Sequence, residues 1–351
     1  MKIQKYKMTG KAGLFGAQED REKLSALGNP LEQLSRVVDF EMFRRLLEER
    51  LINQNKRNNA GARPFDVVLM IKILILQRYY GLGDRQIEFQ ILDRSSFKLF
   101  LGLQSGDKVP DEKTVWAFRE KLTKSGLVTE VFDLFMAELQ NKGYIMNEGK
   151  MVDASFTTAP RQRNTRDENK AIKEGHGKEL WSDQPNKQRQ KDVDARWTQK
   201  NDVAYYGYKN HTKVDAKSKL IDGYVVTDAS VHDSQALGDL ISEQDAGQAL
   251  YADGAYASEQ LDEVVKRCKM INRIHQRGYR NRPLTDDQKK SNALKSKTRA
   301  RVEHVYAFME QSMHGLMIRC VGMDRAKGVI GLINLTYNMF RLEQIERLKL
   351  A

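Results

Sequence analysis

The hydrophobic periodicity of this chain changes at Gly149, and that change limits the fold more than any other feature. Before it, apolar residues recur at three- and four-residue steps, as in ALGNPLEQLSRVVDFEMFRRLLEERL, the spacing of helices that bury one face. After it, GKMVDASFTTAP reads as a strand, AYYGYKNHTKVDAKS and KLIDGYVVTDAS as a hairpin pair, ALYADGAY as a buried strand ending in a turn, and MINRIHQR as a last strand. Helices are expected at 234–243 and 257–268, with a long amphipathic helix from about residue 298. Strands in succession, then strands alternating with helices, predict an α/β fold: a mixed sheet flanked by helices, preceded by an all-α N-terminal domain. The expected division is 1–148 and 149–351, and 351 residues suffice for two domains or for one large domain with an appendage.

Within the helical part, Asn29-Pro30 is a start signal, and PFDVVLMIKILILQRYYGLGDRQIEFQILDRSSFKLFLGL holds two or three helices broken at Gly81-Leu82-Gly83 and around Gly102. PDEKTVWAFREKL opens on Asp111 as an N-cap. Short helices with glycine turns suit a helix-turn-helix reader of DNA, and they suit any small all-α domain equally well. Between the first two strands, residues 159–201 form a charged insertion poor in aliphatics, expected to be a flexible loop that orders on a partner.

The net charge of +12 is concentrated. From Val264 to Arg301 thirteen Lys and Arg face only Asp286 and Asp287, a local +11. Ordinary surfaces intersperse the two signs, so this segment predicts a polyanion partner, and nucleic acid rather than membrane because it lacks the apolar face of an interfacial helix. The apolar run from Val67 is interrupted by Lys72 and is shorter than the ~20 residues a membrane span needs, so no membrane association is expected. The basic N-terminus has no apolar stretch behind it, and two cysteines are too few for a disulfide framework; both point to the cytosol.

Three acids stand where an element ends or turns beside small residues: Asp153 in KMVDAS, Asp253 in ALYADGAY, and Glu303 in SKTRARVEHVYAFMEQ. Glu303 is the only acid between Gln288 and Met309. Two or three carboxylates with substrate phosphates suffice for hard divalent cations, and paired cations support in-line phosphoryl displacement. The bland reading is equally plain: the chain has 47 acids, and most such residues cap turns or pair with lysine.

The order VDAS, YADGAY, RARVEH, with DARWTQKNDVAYYGYKNHTKVD between the first two, resembles the catalytic region of bacterial insertion-sequence DDE transposases, most nearly the insertion-sequence five family. GNPLEQLSRVVDFEMF and PDEKTVWAFREKL resemble that family's N-terminal region, so the likeness runs over residues 20–345. The resemblance implies a ribonuclease-H-like fold in which Asp153, Asp253 and Glu303 bind two Mg²⁺ ions, with Mn²⁺ able to substitute. It implies cutting of double-stranded DNA at terminal inverted repeats, joining of the 3′ ends to target DNA, a homodimer in the synaptic complex, and a nucleoid-associated protein of the bacterial cytoplasm. The family signature Tyr-x2-Arg-x3-Glu-x6-Lys is partial: Arg299 and Glu303 fit, whereas Ser296 replaces the Tyr and Glu310 the Lys.

Lys295, Lys297, Arg299 and Arg301, in the basic segment, are the expected phosphate contacts. Lys209 and His211 alternate with Tyr208 on a strand and so share a face; a DNA contact and a hydrogen-bonded structural histidine are both open. Trp197 is either a stacking platform for an unpaired base or a core anchor for the returning loop. No zinc-like Cys or His spacing, no nucleophile elbow around Ser155 and His232, and no P-loop occurs. Three functions therefore remain: a metal-dependent transposase, a silent DNA-binding descendant of one, and a ribonuclease-H-like nuclease that cuts without joining.

Overall fold

The computed structural model describes residues 15–52, 63–104 and 106–348. Eight helices come first: α1 Gly16–Ala26, α2 Pro30–Val37, α3 Arg44–Leu51, α4 Val67–Tyr79, α5 Asp84–Asp93, α6 Ser95–Leu101, α7 Glu112–Lys124 and α8 Leu127–Asn141. Their starts follow the capping chemistry: Asn29 accepts from the Leu31 amide ahead of Pro30, Asp66 from the Val68 and Leu69 amides, and Asp111 from the Thr114 amide. The remainder runs β1 Gly149–Thr158, α9 Arg166–Lys173, α10 Pro185–Gln188, β2 Arg196–Lys200, β3 Val203–Asp215, β4 Ile221–Asp228, α11 Leu237–Leu240, β5 Ala249–Tyr251, α12 Glu259–Arg267, β6 Ile271–Asn272, α13 Asp286–Arg299, α14 Arg301–Ala307 and α15 Met323–Leu348.

The sheet is mixed. β3 pairs antiparallel with β1, β2 and β4, while β1, β5 and β6 run parallel to one another. Period-two alternation sends neighbouring residues of β1 to opposite cores: Met151 joins the large hydrophobic cluster and Val152 a smaller one built with Leu237, Leu250 and Val265. Helices therefore cover both faces.

The large cluster runs without a break from Leu31 to Ile345, so the helical region and the sheet share one core. The element that joins them is α15, which sequence reading did not separate from the rest. It is buried along most of its length, stacks Phe340 on Tyr79 of α4 at 3.6 Å, and spends two buried amides on the sheet. Asn334 and Asn210 of β3 exchange hydrogen bonds of 2.7 and 3.2 Å, and Asn338 both accepts from the Ile221 amide and donates to its carbonyl, each at 2.8 Å. Gly331 allows the Tyr224 hydroxyl so close that an added methyl group would overlap it.

Two expectations are corrected. The long helix from residue 298 is in fact an interrupted series, because α13 already starts at Asp286, Ala300 separates it from α14, and a π turn over Phe308–Ser312 ends the run. The insertion is not a loop without structure. Glu168 ties it together, accepting from the Thr165 amide at 2.9 Å and from Trp181 Nε1 and Lys187 Nζ at 3.0 Å each. Trp181 is only 2% exposed, with Lys187 and Lys191 over its ring, and buried Asp192 accepts from the Tyr208 hydroxyl of β3. One tryptophan and one carboxylate give the segment a core that its low aliphatic content concealed.

Candidate functional site

β1 and β5 pair in parallel with Met151 opposite Tyr251, and two residues farther along each strand come Asp153 and Asp253. The 100-residue spacing of the two acids is thus a register: both lie just past the point where the parallel pairing of β1 and β5 ends, the usual side for a site in an open α/β sheet. Asp253 leaves the strand to cap the following turn, accepting from the Ala255 amide at 2.8 Å. Asp153 stays on β1 and accepts from the Ala154 amide, also at 2.8 Å. Burial pushes the Asp153 carboxyl up to about 6, and the neighbouring Asp253 adds to the rise, against the lowering effects of the Ala154 amide, Arg299 and Lys200.

The third acid arrives on α14. Val302 and Val305 are fully buried, and Met309 and Met313 continue the apolar stripe that docks this helical run as its spacing required. The Tyr306 hydroxyl fixes the docking, donating to the Asp153 carbonyl oxygen at 2.8 Å while lying 2.7 Å from Thr212 Oγ1 on β3. Glu303, three residues earlier, has a side chain 62% exposed. It is joined to Asp153 through Arg299, whose guanidinium lies 3.2 Å from Glu303 and 3.4 Å from Asp153.

Among the described residues no three His, Cys, Asp or Glu side chains stand as a ready-made metal cage. Arg299 occupies the gap as the positive charge between two of the acids. The donors nevertheless fit a hard cation: all are oxygen, and Asp153 needs nearby positive charge to stay ionised.

The other expected contacts scatter. Lys297 is exposed and makes no ion pair among the described residues. Lys295 and Arg301 donate to the carbonyls of Ile274 and Ala216, at 2.9 and 3.0 Å, which anchors α13 and α14. Lys209 is buried and committed to Asp233 at 2.8 Å. His211 is wholly buried and lowered to about 4 by burial, with Nε2 bonded to Thr227 Oγ1 at 2.8 Å and Nδ1 sealed without a hydrogen-bond partner among the described residues. Trp197 is 43% exposed on β2, tilted against Tyr206 with Arg161 over its ring, and the anchor of the insertion is Trp181 instead.

Three groups near the acids escaped sequence reading. Tyr256, at the end of YADGAY, buries its hydroxyl without a partner among the described residues, and burial, then Asp153, hold that hydroxyl well above its ordinary range. His275 is lowered by burial and by Arg299, and lies 3.3 Å from Ser296 Oγ. Lys200, on β2, acts on Asp153 from 47 residues farther along the chain.

The chain matches two families of known proteins. Residues 148–339 match the transposase DDE domain, and residues 19–121 match a transposase domain (DUF772). A solved piggyBac transposase synaptic complex with hairpin DNA is similar at 12% identity and a TM-score of 0.42, over 91% of this chain and 74% of that one. With more than half of its length inside the first of these family matches, the chain belongs to the transposase DDE-domain family.

Proposed function

We propose that this transposase, of the insertion-sequence five branch, cuts double-stranded DNA at terminal inverted repeats and joins the 3′ ends to target DNA at a site made by Asp153, Asp253 and Glu303. The observation that carries this reading is the shared register of Asp153 and Asp253 on parallel strands, with Glu303 linked to Asp153 through Arg299. The run β4-β3-β1 antiparallel, continued by β5 and β6 in parallel, with β2 added on β3, supports a ribonuclease-H-like sheet.

The three carboxylates would hold Mg²⁺, or Mn²⁺ in its place. Bound there, divalent cations supply charge stabilisation at the attacking and leaving oxygens of an in-line displacement. The chain's own groups do the rest. Tyr306 and the apolar stripe of α14 hold Glu303 over the strand ends. Arg299, released from the acids, is free to meet the phosphate, where its planar fork suits two oxygens at once. The helical region reads the element ends while Lys297 and its neighbours on α13 add phosphate contacts that fix position. Trp197, exposed beside Arg161, offers a face for an unpaired base. A homodimer would pair two ends, and the working place is the bacterial cytoplasm at the nucleoid. No helix among the described residues is long and apolar enough to cross a membrane.

The test is incubation of the purified protein with candidate element ends, Mg²⁺ and a plasmid target, followed by sequencing of the joints. Joined 3′ ends support the proposal. Cleavage without joints would leave a nuclease, and neither reaction with intact binding would leave a silent DNA-binding protein.

A further inference from the structure

Away from the three acids, the α4–α5 turn and the segment between the π turn and α15 enclose a cavity of about 610 Å³. Its charge is one-sided. Arg78, Arg85, Arg119 and Arg319 line it with His314, and Asp84 is the only acid among the lining residues. That acid is already satisfied: Arg119 grips it through both nitrogens at 2.6 and 2.7 Å, and Gln77 donates to it at 2.8 Å. Arg78 makes no ion pair among the described residues, and its Nε is sealed from solvent without a hydrogen-bond partner. Desolvation and the neighbouring Arg119 lower Arg78 to about 10, the direction expected of a cation short of counter-charge.

A guanidinium nitrogen sealed without a partner is costly, and an anion entering the cavity beside this half-buried arginine would relieve that cost. The backbone favours the same occupant. Gly83 through Gln86, the first turn of the ten-residue α5, form part of the wall, so the positive end of that helix dipole faces the space. Gly81, at φ +61°, presses its α-carbon so near His314 that a side chain there would collide at 2.7 Å, which keeps the turn tight against the far wall.

The cavity also has a defined relation to the candidate catalytic centre. Met317, in its wall, bridges to Thr158 at the end of β1, where the Thr158 amide donates to the Leu316 carbonyl and the Ile318 amide to the Thr158 carbonyl. Asp153 lies five residues back along the same strand. At ~3.3 Å per residue that is about 16 Å, close to the rise of five nucleotides along duplex DNA.

We propose that this cavity is a phosphate site, in which Arg78 and Arg319 with the first turn of α5 grip one phosphodiester of the DNA that runs from Asp153 past the Thr158 end of β1. The proposal rests on the reading of the chain as a protein that acts on DNA. A free phosphate has the same chemistry, so the experiment separates the two sources and keeps the cavity distinct from the wider reading.

Affinity for a labelled DNA duplex is measured across a salt series for the wild type, Arg78→Lys, Arg78→Gln and Arg319→Gln, and in parallel the thermal midpoint is recorded with and without inorganic pyrophosphate. The expected result is weaker DNA binding in Arg78→Gln and Arg319→Gln with a salt slope shallower by about one, and an intermediate loss in Arg78→Lys, which keeps the charge but not the fork. Pyrophosphate should raise the wild-type midpoint and fail to raise that of Arg78→Gln. Arg319→Gln, on the exposed rim, decides the matter if Arg78→Gln does not fold. A pyrophosphate shift lost in the variants with DNA affinity and slope unchanged would overturn the DNA source in favour of a free phosphate. Unchanged DNA binding and unchanged pyrophosphate response in folded variants would overturn the site altogether. If the wild type bound no DNA, the wider reading and the DNA source would both fall, and the pyrophosphate response alone would show whether the cavity takes free phosphate.

Discussion

The Tyr306 hydroxyl donates to the carbonyl oxygen of Asp153, so the helix that carries one candidate acid is tied to the backbone of the strand that carries another. Thr212, on the neighbouring strand, completes the chain at 2.7 Å. Three elements far apart in sequence are thereby set to one position.

Removing that hydroxyl should disturb geometry more than stability. Tyr306→Phe keeps the ring and its packing and loses hydrogen bonds whose net worth is about 1–2 kcal/mol. A shift of Glu303 by a fraction of its side chain is expected to lower the cleavage rate by up to about 10²-fold. Rate and melting temperature measured on the same preparation check this. A proportionate fall of both would mean that Tyr306 serves the fold alone.

Asp153 makes stability depend on pH in a stated direction. Its carboxyl is raised from 3.8 to about 6, so the folded protein holds this proton more tightly than the unfolded chain. The folded state is favoured below the unfolded value and loses about 3 kcal/mol as pH rises from about 4 through about 6. Asp153→Asn, which cannot ionise, should therefore melt higher than the wild type at neutral pH and nearly with it at pH 4. Mg²⁺ should raise the wild-type midpoint at neutral pH and fail to raise that of the variant, and EDTA should reverse the gain. A variant less stable than the wild type at neutral pH would contradict the burial argument.

The shared core predicts the behaviour of a truncation. A fragment starting at Gly149 would expose the face of α15 that packs on α4, α7 and α8, including Phe340 and the glycines that admit Thr123 and Val128. Such a fragment should show no cooperative melting transition and should aggregate, whereas the full chain melts as one unit. A soluble, cooperatively folding fragment would show that the sheet region is an independent domain.

The insertion should loosen on the loss of one carboxylate. Glu168 is held down to about 2, first by the Thr165 amide and then by Lys187, and it joins α9 to Trp181 and α10. Glu168→Ala is expected to open residues 159–201 to limited trypsin digestion while the melting of the sheet and helices barely moves. Acid should do the same as pH falls through the low pKa, since a depressed carboxyl stabilises only while ionised. Equal protease resistance in both proteins would remove Glu168 from its central place.

Local chemistry made much of this legible in sequence. The caps at Asn29 and Asp111, the glycine breaks after Tyr79 and Leu101, the hairpin of β3 and β4, and the docking stripe from Val302 to Met313 all follow from signals within a few residues. What escaped depends on distant partners. Nothing near Tyr256 announces a hydroxyl left unpaired beside Asp153, and nothing near Lys209 or His211 says that β3, paired on both edges, buries them. α15 lacks an amphipathic pattern because it is enclosed on nearly all sides, and period reading works only where one face meets water. The insertion misled through composition, since one tryptophan and one glutamate supplied what aliphatic residues usually do.

The central claim is that Asp153, Asp253 and Glu303 act as one site and that Glu310, exposed in the π turn, does not belong to it. The direct measurement is strand cleavage and transfer on a labelled element end with Mg²⁺, using Asp153→Asn, Asp253→Asn, Glu303→Gln and Glu310→Lys beside the wild type, each checked for melting and end binding. The account predicts that the first three fold and bind ends but neither cut nor join, and that Glu310→Lys keeps activity and binds DNA more tightly through its added charge. Activity surviving in Glu303→Gln and lost in Glu310→Lys would contradict it.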